Sequence, residues 1–297
     1  MNTDQVRIFL SVTETRNFTM TAHTFGYTQS AVSQSIKKLE ETLNLPLLTR
    51  GKKTVTPTQA AVDLLPYMRE LVRTEDTLLQ TANAILGYET GTVRIGSFAS
   101  MSAHLLPHTI KMFSNRYPAI QIELIESTYW DIERMLQAGE LDLGFISIPT
   151  TANLEYKVLP CESYKAVLPK RHRLAESDTI PLDVLLKEPF IVPADNFKSE
   201  IGKYIAEHNL EINELFHVKD DYVTISMVRN GLGVSILPKL VLDDFSEFIE
   251  TRDIEPGINR VLGIATKSFT NCTPAGKRFL DYLIQNVITP ESHECSE

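Results

Sequence analysis

An α/β fold carrying a separate all-α head at its N-terminus is predicted by three features of the 297-residue chain. Short helical patterns fill the first sixty residues, a long apolar repeat at 3- and 4-residue steps comes next, and strand-like and helix-like segments alternate from residue 92. Hydrophobic content of 43% and charged content of 23% fit an ordinary globular protein of two or three compact units. The net charge of −9 conceals an uneven distribution. Residues 1–60 hold seven basic and four acidic groups, and the rest of the chain carries a net −12. A basic head on an acidic body directs a polyanion to the head alone.

In the head, Val6, Phe9, Leu10 and Thr13 follow helical spacing, and a second short helix is expected at about Thr19–Phe25. Gly26 ends it, because glycine turns the chain with positive φ at no steric cost. The third helix opens on Thr28, whose hydroxyl can cap the free amides of Ser30 or Ala31. Val32, Ile36, Leu39 and Leu43 then recur at steps of 4, 3 and 4 as one buried stripe. The opposite side carries Gln29, Ser30, Ser33, Gln34 and Lys37, with 29, 33 and 37 stacked one turn apart. Gln and Ser both donate and accept hydrogen bonds, as base edges require, and Lys reaches guanine or phosphate. A helix–turn–helix puts such a face into the major groove, N-terminal residues nearest the bases. The plain alternative is a solvated face in a small bundle.

The chain beyond this helix favours the groove. After "NLPLLTR", the segment "GKKTVTPT" reads as a two-stranded wing around a turn glycine. Arg50, Lys52 and Lys53 would lie along a phosphate backbone or dip into the minor groove. A basic hairpin alone is an ordinary surface feature; a polar helix face and a basic wing in this order are far more specific.

The stretch "FTMTAHTFGYTQSAVSQSIKKLEETLNLPLLTRGKKTVTPTQAA" closely resembles the winged helix–turn–helix signature of LysR-type transcriptional regulators. Phe18, Ala22, Gln29, Ala31, Val32, Ser33, Ile36, Leu39, Glu40, Leu43, Leu47, Arg50 and Thr58 stand at matching positions. Thr21, Ser30 and Ala61 depart from it, where Ala, Pro and Gly are usual in the family. The resemblance implies a winged DNA-binding domain over residues 1–57, with Thr28, Gln29, Ser30, Ser33, Gln34, Lys37, Arg50, Lys52 and Lys53 on the duplex.

A linker helix with its hinge is expected over residues 58–91. Its start is signalled by "TPTQ", with Thr56 as cap, Pro57 in the first turn and Gln59 as the capping-box partner. Ala61, Leu64, Met68, Leu71, Leu78, Ala82 and Ile85 continue an a/d pattern, interrupted by Glu75, that reads as a coiled-coil seam. Two-fold pairing there would present two heads to two half-sites. Pro66 predicts a bend, and Gly87 and Gly91 a hinge.

Residues 92–297 alternate "TVRIG", "IQIELIE" and "LDLGFI" with helical segments, the pattern of an α/β unit with parallel strands. A second unit begins after "EYKVLPCESYKAVLP", and "VLGIATK" with the last helix returns to the first. The expected division is lobe I at about 92–160 and 265–297, and lobe II at about 161–264. This is similar to the family's two-lobed effector domain, akin to periplasmic binding proteins, with "AGELDLGFI" and "VRNGLGVSILP" as matching segments. Ligands of open α/β sheets sit outside the carboxyl ends of strands. That rule, with the resemblance, selects Phe98, Ser100, Ser102, Thr128, Ser147, Asn196, Phe197 and Thr224 as effector-binding residues. Each hydroxyl has helix capping as its simpler role. A small carboxylate is the expected effector, opposed by Asp195 unless Lys198 offsets it.

Other functions find little support. Cys161, Cys272 and Cys295 are an odd number at wide spacings, against a disulfide framework or a zinc site and in favour of a reducing cytoplasm. The N-terminus lacks the pattern of a signal peptide, and no apolar run is long enough to cross a bilayer. Seven scattered histidines, no nucleophile elbow and no phosphate-loop motif argue against an enzyme, a metal and a cofactor. The expected partners are double-stranded DNA, a small-molecule effector and further copies of the chain. The family resemblance implies a dimer of dimers.

Overall fold

The computed structural model describes residues 1–50, 55–193 and 200–286. The head is built from α1 (Thr3–Thr15), α2 (Phe18–Phe25) and α3 (Gln29–Leu43), followed by the antiparallel strands β1 (Leu48–Arg50) and β2 (Val55–Pro57). Each helix begins on a residue suited to accept from free amides: Asn2 for α1, Asn17 for α2 and Thr28 for α3. Gly26, at φ +67°, makes the turn between α2 and α3. Val32, Ile36 and Leu39 of the predicted stripe are fully buried with Val6, Phe9 and Val12 of α1. Glu40 ties helix to wing, its Oε1 accepting from the N–H groups of Leu47 (2.7 Å) and Leu48 (3.2 Å).

The linker helix α4 (Gln59–Ile85) runs unbroken through Pro66 and is capped by Thr58, two residues later than the expected Thr56. Its first turns belong to the head, since Ala61 and Met68 are buried in the head core with Leu64 packed against it. Arg7 of α1 reaches along the same helix to Glu75 (2.9 Å) and Asp76 (2.5 Å). Past that point the seam is bare: Leu78 is 67% and Ile85 81% exposed.

Around Gly87 and Gly91, where the hinge is expected, side chains of α4 tie the turn to the body. Gln80 donates to the Thr92 carbonyl and accepts from the Ala275 N–H, and Asn83 donates to the Thr90 hydroxyl. Gly91, at φ +144°, has the Gln80 carboxamide where a β-carbon would stand. Arg69–Glu140 (3.0 Å) and Lys267–Glu70 (3.1 Å) fasten the middle of α4 to the body.

The body comprises, in chain order, β3 (Gly91–Ser97), α5 (Leu106–Arg116), β4 (Ile120–Glu126), α6 (Tyr129–Gln137), β5 (Leu143–Ile148), β6 (Glu155–Val158) and β7 (Glu162–Pro169). It continues with β8 (Thr179–Pro181), α7 (Leu182–Leu185), β9 (Phe190–Pro193), α8 (Glu200–Glu207), β10 (Glu214–Val218), α9 (Asp221–Arg229) and β11 (Ser235–Pro238). It ends with β12 (Ile249–Glu255), β13 (Asn259–Thr266) and α10 (Pro274–Asn286). A π-helical turn at Met101–Leu105 precedes α5. Lobe I has parallel β4, β3 and β5, with β13 antiparallel to β5 and β6. Lobe II gathers β7, β11, β12 and β8, with the parallel pair β9 and β10 alongside.

Three elements of lobe II, β8, α7 and β12, are absent from the predicted layout. In β12 only Ile249 and Ile254 of "IETRDIE" are buried, and the charged residues mask any alternation. The strand β13 makes the return to lobe I, its pairing there starting at Val261, the first residue of "VLGIATK". Asn259 and Arg260 pair with Ser163 and Glu162 of β7, and from Val261 the same strand pairs with β5. One continuous β-strand thus spans the junction of the lobes.

Candidate nucleic-acid interface and interlobe cleft

On α3, Gln29, Ser30, Gln34 and Lys37 are exposed and Ser33 is half-buried. The Thr28 hydroxyl accepts from the Ala31 N–H at 3.2 Å and shares a hydrogen bond with Ser30 (3.0 Å), so these two brace the helix start. Lys37 lies 3.8 Å from Glu41, a solvent-exposed pair that leaves the ammonium easily drawn to a phosphate. Beside this row the wing strands run antiparallel, with Leu48 opposite Pro57 and Arg50 opposite Val55. The side chain of Arg50 and the whole of Lys52 and Lys53 lie outside the described residues.

The second site lies where the lobes meet. A cavity of about 300 Å³ is lined by Tyr129, Trp130 and Glu133 of α6, by Ser147 and 149–151, and by Tyr164, Glu200, Lys203 and Arg260. Its floor is the Arg260 guanidinium, only 3% exposed. Nε donates to Glu162 at 2.6 Å, and Nη2 lies 2.5 Å from the same carboxylate. Nη1 donates to the Tyr129 hydroxyl (2.8 Å) and Nη2 to the Ser100 hydroxyl (3.0 Å), while the cation sits over the Phe98 ring. Phe98 in turn packs on Tyr129, centroids 4.4 Å apart. The Glu162 carboxylate and its polar neighbours hold the guanidinium charged despite burial.

Across the cavity, Glu200 at the start of α8 accepts from the Ser147 hydroxyl (3.5 Å) and the Tyr164 hydroxyl (3.3 Å). Ser147 belongs to lobe I and Glu200 to lobe II, so this carboxylate bridges the mouth. Burial, first of all, pushes the Tyr129 phenol up to about 12; Glu162, Asp221 and Glu200 push the same way and Arg260 opposes.

The expected effector residues divide. Ser147 lines the cavity, and Ser100 and Phe98 hold the arginine that floors it. Thr128 spends its hydroxyl on the start of α6, accepting from the Asp131 N–H. Ser102 lies within the π-helical turn, its Oγ buried. Thr224 is fully buried in α9, its hydroxyl donating to the Asp220 carbonyl, and is not part of the cavity lining. Asn196 and Phe197 lie outside the described residues. Sequence reasoning misses Tyr129, Tyr164, Glu162, Glu200 and Arg260. Arg260 alone carries a local signal, a charge inside the apolar run "INRVLGIA" that must find a partner if buried.

The profile of the LysR substrate binding domain matches residues 87–287, and that of the lysR-family bacterial regulatory helix-turn-helix protein matches residues 3–62. The chain belongs to the LysR family. It is therefore a LysR-type, DNA-binding transcriptional regulator with an effector-binding domain. Among similar proteins, the uncharacterized HTH-type transcriptional regulator YoaU of Bacillus subtilis is 30% identical over 97% of this chain and 99% of its own. The probable HTH-type transcriptional regulator LrrA of Synechococcus elongatus is 29% identical over 96% and 97%. A full-length OxyR variant from Pseudomonas aeruginosa shares the fold at a TM-score of 0.77, with 20% identity and 97% and 99% of the two chains covered. Full-length CbnR solved with its target DNA has a TM-score of 0.67, with 19% identity over 96% and 99%. In this LysR-type regulator one long helix, α4, joins the head to the lobes.

Two further features bear on its setting. No helix among the described residues is long and apolar enough to cross a membrane. Cys272 is a free, buried thiol. Cys295 lies outside the described residues.

Proposed function

We propose that this LysR-type regulator reads duplex sequence with Gln29, Ser33, Gln34 and Lys37 of α3, braced by Thr28 and Ser30, while Arg50, Lys52 and Lys53 of the wing hold phosphate. The observation that carries this reading is an exposed polar row on a helix whose opposite stripe is fully buried. A helix so oriented offers hydrogen-bonding groups to base edges. The effector binds the interlobe cavity, floored by Arg260 and closed by Glu200, with Ser147, Tyr129 and Tyr164 as polar contacts.

Pairing of α4 through Leu71, Leu78 and Ile85 gives a homodimer, and contacts between acidic bodies give a dimer of dimers in the cytoplasm. Paired heads gain affinity through effective concentration that one small basic head lacks. An effector that prefers one angle between the lobes shifts the spacing of the heads, by as much as its affinities for the two arrangements differ. No catalytic role is assigned to any residue.

The test is to select duplex fragments from a random pool with the full-length protein, then footprint the winning site. A single enriched motif protected in two half-sites supports the reading. Retention of all fragments alike, at low salt, refutes it.

A further inference from the structure

The acids of the interlobe cavity outnumber its free cations. Glu133 projects from lobe I and Glu200 from lobe II into the same space. Arg260, the deepest cation, is already matched by Glu162, and its other contacts go to Tyr129 and Ser100. Among the described lining residues, Lys203, exposed at the rim, is left to offset two carboxylates. Residues 194–199 contain one acid and one base, so they add no net charge. Glu133 has no ion-pair or hydrogen-bond partner among the described residues. Glu200 has two long hydroxyl contacts, which leave lone pairs free on both its oxygens. Beside these acids stand the half-buried ring of Tyr129 and the exposed ring of Trp130, whose π-faces attract a cation.

A carboxylate ligand entering here would meet like charge from both lobes, with one rim lysine in compensation. An ammonium meets the reverse. We propose that the effector carries a protonated amine, held between Glu200 and Glu133 with its apolar part against Trp130 and Tyr129. This rests on the reading of the cavity as the effector site. At about 300 Å³ the cavity is at the small end of ligand pockets, which suits a compact monoamine.

Trp130 is the only tryptophan of the chain, so its emission reports on this cavity directly. The full-length protein is titrated with benzylamine and isopentylamine, and in parallel with benzoate and isovalerate, following Trp130 emission and Tm. The amines are expected to change the emission and raise Tm at concentrations at least tenfold below any effect of the acids. Glu200→Gln weakens the amine response at least tenfold and Glu200→Asp keeps most of it; Glu133→Gln, on the other lobe, gives an independent loss. Saturable binding of the acids without the amines, or silence from the amines, overturns the proposal, as does an amine response unchanged in both glutamine variants. A ligand that raises Tm while Trp130 emission stays fixed overturns the location as well, and with it the effector-site reading.

Discussion

Arg260 and Glu162 face each other across the two strands that join the lobes, with guanidinium and carboxylate 2.5 Å apart and almost no solvent between them and the core. The pair belongs to neither lobe alone. Its arginine lies on β13, which continues into the lobe I sheet, and its glutamate starts β7 of lobe II. Tyr129 and Ser100, both from lobe I, complete the arginine's contacts. Any change in lobe angle must pivot about this point or break it.

Removing one partner is therefore expected to cost more than removing both. Arg260→Met leaves the Glu162 charge buried and unpaired, a loss of about 3–5 kcal/mol in typical buried pairs. The double variant with Glu162→Met should recover part of that loss. Urea unfolding of the three proteins checks it; a single-variant cost within error of zero would mean that water reaches the pair freely.

On α3, Gln29→Ala and Ser33→Ala should each weaken the selected site by about 1–3 kcal/mol where a base contact is lost, while binding to random duplex changes little. Competition binding against both duplexes decides. An equal loss on each would reduce these side chains to phosphate contacts.

Lys52→Ala with Lys53→Ala should instead weaken all duplexes alike. The slope of log affinity against log salt should fall by about 0.9 per lost phosphate contact. An unchanged slope removes the wing from the interface.

The exposed half of α4 gives the oligomer its test. Leu78→Glu or Ile85→Glu places charge where the apolar side chain is bare in the isolated chain, and should yield monomers by sedimentation without loss of helix content. Leu71, only partly exposed and nearer the head, should respond less. Dimers that survive both substitutions would put the interface elsewhere.

Cys272 supplies a pH dependence with a definite sign. Burial, with Asp142 adding to it, pushes the thiol up from 9.0 to about 11. The folded state therefore keeps a proton that the unfolded state releases. The pH-dependent penalty is absent well below pH 9 and grows as pH rises from 9 towards 11, because deprotonation then favours the unfolded chain, by about 3 kcal/mol at most by linkage. Cys272→Ala should flatten that part of the stability profile, and the native thiol should resist iodoacetamide at pH 8 until the protein unfolds.

Much of the head is legible because its signals are local. Val32, Ile36 and Leu39 form a stripe by spacing and are fully buried; Thr28 is a cap by type and accepts from Ala31. β4 follows its alternating residues over Ile120–Glu126. The seam of α4 is legible only as a pattern. Spacing does not say that Ala61 and Met68 serve the head while Leu78 and Ile85 stay bare, because both uses need the same periodicity. Thr128 and Thr224 show the ambiguity of a hydroxyl: in sequence it suits a ligand contact and a helix bond equally, and in the fold each makes a bond within its own helix.

Periodicity and residue type settled the helices, most strands and the polar face of α3, since each depends on neighbours within one or two turns of chain. The cleft required the fold. Arg260 draws its partners from positions 100, 129 and 162, and Glu200 draws its own from 147 and 164. No window of sequence contains such a set, because desolvated charge is satisfied by whatever the packed chain brings within about 3 Å, however distant in sequence.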